Sequence, residues 1–187
     1  MELLTRLDTV LFLVLNADVA NPVFDVIFPA ITHGRFWLIP ALIAAVLFIR
    51  REKRGALIVI GLSLVTVAVT DPVSSYLIKP LFGRLRPCHP DVLVEGGRFL
   101  LGHKGSLSFP SSHAMNMFGQ AMLFTCFYPK NRPWYFGFAA LIGYSRIYTG
   151  THYPLDVAGG AVFGVICGSA VYHGYVLVTR KTFRPHR

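Results

Sequence analysis

Five stretches of this chain, 36–49, 56–69, 115–128, 134–144 and 157–171, are almost free of charged side chains. A soluble helical bundle needs a polar stripe along each helix, and none of these blocks has one. Extended by their flanks they approach the roughly 20 mostly apolar residues that one bilayer crossing requires, with polar ends snorkelling outward. Composition agrees. Hydrophobic residues make up 53% of the 187 and charged ones 14%, against roughly 25% charged in an ordinary soluble domain. The expectation is an all-α integral membrane bundle with five transmembrane helices, forming one domain over 1–187.

The first 31 residues read differently. Leu3, Leu4, Leu7, Val10, Leu11, Val14 and Leu15 recur at helical spacing, interrupted by Thr5, Arg6 and Asp8. The unbroken apolar run 10–15 is too short to cross a bilayer, so 1–31 is expected to carry an amphipathic helix in the interface. A cleaved leader fits less well, because Glu2 and Arg6 make a poor basic start and no small-x-small site follows. A sixth span folded from 3–31, broken at Asn21-Pro22, is the alternative.

The net charge is +9, but its placement argues against nucleic acid as the partner. Arg50, Arg51, Lys53 and Arg54 follow the first span. Lys130 and Arg132 join the third to the fourth, and Arg180, Lys181, Arg184 and Arg187 end the chain. These ten of the 18 basic residues fall on one side of a five-span arrangement, which the positive-inside rule makes cytoplasmic. Their partners are then anionic membrane lipids. Cys126 and Cys167 fall inside spans, and Cys88 stands alone outside, so no disulfide framework is expected. No obligate protein partner is indicated.

With that side fixed, three polar segments meet at the opposite, outer face. They are the end of the second span with the loop 83–109, the start of the third span at "FPSSH", and the seam "SRIYTGTHYPLD". Lys79, Arg84, Arg86, His113, Arg146, His152 and Asp156 converge there, with Asp156 the one acid counted nearby. Ionisable residues at span ends need partners or ligands, and this excess of positive charge suits a phosphate. Lys79 and Arg86 are seven apart and lean over one spot if the helix persists past Pro80; otherwise the Arg86-Pro87 turn comes inward. Arginine offers a planar fork to phosphate oxygens and lysine a point charge. Pro110, Ser111 and Ser112 open a helix whose first N–H groups form an anion cradle. His152 and Asp156, four apart, share a helix face. A carboxylate there can hold one imidazole nitrogen protonated and leave the other free as nucleophile or base, and His113 adds a second imidazole.

The chain resembles the type 2 phosphatidic acid phosphatase (PAP2) family, whose fold is shared with vanadium haloperoxidases. The resemblance rests on Lys79…Arg86-Pro87, Pro110-Ser111-Ser112-His113, and Ser145-Arg146…His152…Asp156. Every spacing matches, and the single departure is Ser112 in place of glycine, which keeps its backbone N–H. The resemblance covers a catalytic core of roughly 55–175. It implies that His152 is the nucleophile, Asp156 its partner and His113 the general acid. Lys79, Arg86, Ser111, Ser112, His113 and Arg146 would bind phosphate, with neither metal nor cofactor. The implied activity is that of a lipid phosphatase acting through a phospho-histidine at the outer face of the cytoplasmic membrane, toward the periplasm or exterior.

Other readings stay open at this point. A lipid phosphotransferase would carry the same motifs. A lipid-phosphate transporter or flippase would favour midplane sites and repeated halves, and no repeat is visible. A metal site from Cys88, His89, Asp91 and His103 lacks paired-ligand spacing. The loop 83–109, with Arg84, His89, Arg98, His103 and Lys104, is expected to shape the headgroup pocket. Phosphatidylglycerophosphate, phosphatidic acid, undecaprenyl diphosphate and lipid A phosphate all remain candidate substrates.

Overall fold

The computed structural model describes residues 2–180, and every regular element among them is helical. Lys181, Arg184 and Arg187 of the basic tail lie outside the described residues. In chain order the helices are α1 (Glu2–Leu13), α2 (Pro22–Thr32), α3 (Gly34–Glu52), α4 (Arg54–Pro72), α5 (Lys79–Phe82), α6 (Ser112–Phe127), α7 (Arg132–Tyr148) and α8 (Pro154–Thr179). A π-helical stretch, Val73–Ile78, joins α4 to α5 in one rod, Arg54–Phe82.

The bundle turns its greasy residues outward. Leu38, Ile39, Leu42, Ile43, Leu57, Leu64, Val162 and Ile166 are all exposed, whereas Thr66, Thr70, Ser74, Ser145 and Thr149 are buried. Water would penalise such a surface and lipid does not. The chain is an integral membrane protein. By length and apolarity, Arg54–Phe82 and Pro154–Thr179 are each able to cross a bilayer.

The N-terminal arm is a bent helical pair. After α1 a π turn, Val14–Asp18, continues the helix. Asn21 then caps α2, its Oδ1 accepting the Phe24 N–H at 3.0 Å. The two arms meet at 114°, and together they are long and apolar enough for a further crossing. The break falls at Asn21-Pro22, the position expected for a folded span. Leu3, Leu4, Leu7, Val10 and Leu11 face outward, while Asp8, Phe12 and Asn16 are buried against the rest of the protein.

Glycine decides how the centre packs. The buried residues of α8 are Asp156, Gly160, Gly164 and Gly168, a strict four-residue repeat. A Cβ at Gly164 would sit 2.3 Å from the Met115 carbonyl oxygen, and one at Gly168 2.2 Å from that of Gly119. Backbone therefore touches backbone along the α6–α8 seam, the small-residue packing available to helices in lipid. This contact sets the N-termini of α6 and α8 side by side.

The rod Arg54–Phe82 survives Pro80, because the π stretch just before it absorbs the missing N–H. It does not reach Arg86. Gly83, at φ 58°, terminates it in the left-handed conformation, donating to the Lys79 carbonyl at 3.0 Å. Lys79 thus belongs to a helix and Arg86 to the following loop, which turns inward. Helix α3 has no buried residue; it packs on α2 and α4 and meets α7 through the edge-on ring pair of Trp37 and Phe138, centroids 5.0 Å apart.

Candidate active site

A cavity of about 740 Å³ opens between α3 and α7. One wall is apolar, from Ile31, Trp37, Pro40, Ala41 and Ala44 with Met117, Phe138 and Ile142 opposite. The other end carries Arg86, Lys104, Ser112, His113, Arg146 and His152. Three motifs separated in sequence are brought to one surface.

His152 lies in the loop before α8 and is 1% exposed. The Arg86 Nη1–H donates to its Nε2 at 2.8 Å, which makes Nε2 the acceptor and leaves the proton on Nδ1. Burial, then the charges of Arg86 and Arg146, hold this imidazole well below its ordinary pKa. The ring is neutral with a lone pair on Nε2.

Behind His152 the expected pairing with Asp156 is indirect. Asp156 Oδ2 stands 3.5 Å from Nδ1, too long for a good hydrogen bond. The Ser108 hydroxyl lies between, 3.3 Å from Nδ1 and donating to Asp156 Oδ2 at 2.5 Å. The same carboxylate oxygen accepts the Tyr153 N–H at 2.8 Å, and Oδ1 accepts from Arg84 at 2.9 Å. Asp156 thus closes the start of α8, with Ser108 as the link to the imidazole. Ser108 falls between two motifs, and no spacing in the sequence marks it.

The cations divide into two groups. Lys79 gives its three protons to backbone carbonyls, those of Leu107 (3.0 Å), Ser108 (3.1 Å) and Pro110 (2.8 Å). It fastens the 107–110 loop and stands behind the cavity lining. Arg86 fixes Nε on Ser106 and Nη1 on the Thr151 carbonyl. Arg146 is 3% exposed; its Nη1 donates to Thr32 Oγ1 of α2, and its Nε has no hydrogen-bond partner. Lys104 also lines the cavity, its pKa lowered by burial and then by Arg146 and Arg86. These positive groups crowd together, and the cavity's one lining acid is Asp71. Neither Asp71 nor Asp8 falls in a sequence motif, so neither is expected from the sequence to bear on the site.

Ser111 caps α6, its Oγ accepting the Ala114 N–H at 3.4 Å, and its own N–H goes to the Asp156 carbonyl at 2.9 Å. That N–H is committed, so any anion cradle rests on the first-turn N–H groups of Ser112 and His113. The Ser112 hydroxyl pairs with Ser74 at 2.8 Å. The remaining loop side chains do not line the cavity. Arg84 and Arg98 bind Asp8 and Asp25 of the N-terminal arm, His89 lies beside Asp91, and His103 contacts the Cys88 carbonyl.

Comparison with known proteins agrees with this geometry. Residues 55–180 match the profile of the PAP2 superfamily. A lipid A 4'-phosphatase from Porphyromonas gingivalis is 33% identical over 94% of this chain and 76% of its own length. The crystal structure of Aquifex aeolicus LpxE superposes with a TM-score of 0.64 at 29% identity, covering 86% of this chain and 92% of that one. A PAP2-type phosphatidylglycerolphosphate phosphatase from Bacillus subtilis shares the fold at a TM-score of 0.67 and 23% identity, over 98% and 90% of the two chains. On the family match and the three motifs converging on one cavity, the chain belongs to the PAP2 superfamily of phosphatases.

Proposed function

We propose that this protein hydrolyses a phosphate monoester on a glycolipid headgroup of the lipid A type, through a phospho-histidine on His152. The observation that carries the reading is the cavity itself. It joins a neutral, buried imidazole and three cations that have no ion-pair partner among the described residues to an apolar slot between α3 and α7. A phosphate binds at the cationic end and acyl chains reach it sideways from the bilayer. The relatives acting on lipid A favour a sugar headgroup.

The chemistry follows from the donors present. Substrate phosphate draws the Arg86 N–H from His152 Nε2 onto its own oxygen, freeing the lone pair. Nε2 then attacks phosphorus while the P–O bond to the lipid breaks, and His113 protonates the leaving oxygen. Arg86, Arg146, Lys104 and the Ser112 and His113 N–H groups take up the charge of the five-coordinate transition state. The positive charge developing on His152 is supported through Ser108 and Asp156. Water next attacks the phospho-histidine, giving its proton to His113 and releasing inorganic phosphate. Lys79 holds the loop that carries Ser108.

The deciding experiment is phosphate release in detergent from lipid A, phosphatidic acid, phosphatidylglycerophosphate and undecaprenyl diphosphate. Lipid A is expected to have the highest kcat/KM, by at least about tenfold, a gap of roughly 1.4 kcal/mol in transition-state binding. Preference for a glycerolipid would overturn the headgroup assignment, and release from none would overturn the phosphatase reading.

We also propose five spans, α3, the rod Arg54–Phe82, α6, α7 and α8, with the site on the outer leaflet of the cytoplasmic membrane. The cations at 50–54 and 130–132 serve no ligand and follow the positive-inside rule. In a background with the native cysteines replaced, Asp91→Cys, in an exposed loop position, should react with an impermeant thiol reagent in intact cells. Asn131→Cys should react only after lysis. The reverse pattern would invert the protein.

A further inference from the structure

We propose that Asp8, on α1, is a positioning residue for the reaction, acting through Arg84 on Asp156 and so on His152. The inference rests on the phosphatase reading above. It concerns a part of the chain that precedes the family match at 55–180.

Asp8 is 3% exposed although it sits on a helix whose other face is leucine-rich. Both its oxygens are used. Oδ2 accepts from Arg84 Nη2, and Oδ1 accepts the Leu155 N–H, in the first turn of α8, at 2.9 Å. The other Arg84 nitrogen, Nη1, reaches Asp156 Oδ1 at 2.9 Å. The guanidinium lies 4.1 Å from the centroid of the Tyr153 ring, and that ring packs edge-on against Phe12 of α1 at 5.5 Å. One helix therefore grips the reactive loop through a charge and through an aromatic pair.

The charge count gives Asp8 its effect. One guanidinium serves two buried carboxylates, so Asp156 keeps negative charge to support the cation that forms on His152. Without the Asp8 charge, Arg84 has only Asp156 to neutralise, and that support weakens. The other charged or titratable groups acting on His152 and Asp156 are Lys79, Arg86, Arg146 and His113, none of them an acid, and Asp71 of the cavity lining is not an ion-pair partner of Arg84. Asp8 also fixes the α8 N-terminus, on which Asp156 stands.

The test is Asp8→Asn, which keeps an oxygen for the Leu155 N–H and removes the charge together with the oxygen that accepts from Arg84. With lipid A in detergent, kcat should fall about 10- to 100-fold, as when a group orienting a reactive side chain is lost, while KM stays within about twofold. Asp8→Glu should recover part of the loss. In an Arg84→Gln background, Asp8→Asn should add nothing, because the path is already cut. An unchanged kcat, or a full additional loss in that background, would overturn the proposal. Turnover by the unaltered protein is the control, since its absence counts against the phosphatase reading instead. Nitrogen-15 resonances of His152 need no turnover: Asp8→Asn should move Nδ1, and an unmoved Nδ1 would overturn the positioning role by itself.

Discussion

His152→Ala should abolish phosphate release, by a factor of about 10⁴ or more, as expected when a covalent nucleophile is removed. The geometry leaves no substitute. His113 lines the same cavity, but its proposed part is to protonate the leaving oxygen, and the acid cannot also be the attacking nucleophile in one step. His152 alone has its proton held on the far nitrogen, since Arg86 donates to Nε2 and Ser108 stands beside Nδ1. The loss should appear in kcat, with lipid binding retained, because the cations and the apolar slot remain. His113→Ala should behave differently, losing far more with an alkyl phosphate than with an aryl phosphate whose leaving group needs no proton. The measurement is phosphate release together with acid-quench trapping of labelled phospho-enzyme. A His152→Ala protein that still turned over within about tenfold of the parent would remove His152 from the covalent step.

Much of this site is legible in the residues alone, for a physical reason. In a chain whose spans carry no charge, each ionisable residue at a span end is conspicuous, because it must meet a partner or a ligand. Four of the residues so marked, Arg86, His113, Arg146 and His152, line the cavity, with Ser112 beside them. Lys79, Ser111 and Asp156 stand behind it: Lys79 and Ser111 are bound to backbone, and Asp156 to Arg84, Ser108 and the Tyr153 N–H. Sequence spacing ranks residues by proximity along a helix, and it cannot tell a group that meets a ligand from one that secures the wall. Ser108 escaped for the same reason, as its partners are 44 and 48 residues away. Asp8 escaped because its helix looked like an interfacial anchor. Its apolar stripe was legible, but the inward polar stripe of Asp8 and Asn16 acquires meaning only through Arg84 and the Ile147 and Tyr148 carbonyls. The repeat Gly160, Gly164, Gly168 is written plainly in the chain, yet its complement on α6 is an approach of backbones.

Arg146→Gln should lower kcat/KM by about 10²- to 10³-fold, the loss typical of removing one donor to a transition-state oxyanion, without lowering the thermal unfolding midpoint of the ligand-free protein. The two expectations together make the test sharp. Arg146 is almost wholly buried, and its Nε has no hydrogen-bond partner. An unpaired buried charge destabilises the fold, and deleting it should leave stability unchanged or higher, offset by the lost bond to Thr32. A group kept despite that penalty is retained for what it meets when substrate arrives. Phosphate oxygens would satisfy Nε and offset the desolvation only in the bound state, where the chemistry takes place. Orthovanadate, a five-coordinate phosphorus mimic, should therefore raise the unfolding midpoint of the parent and raise that of Arg146→Gln much less. Arg146→Lys should recover little, since a point charge cannot keep Thr32 and also present a second N–H to the ligand. Arg146 would be structural rather than phosphate-binding if Arg146→Gln unfolded at markedly lower temperature while its vanadate response and kcat/KM matched the parent.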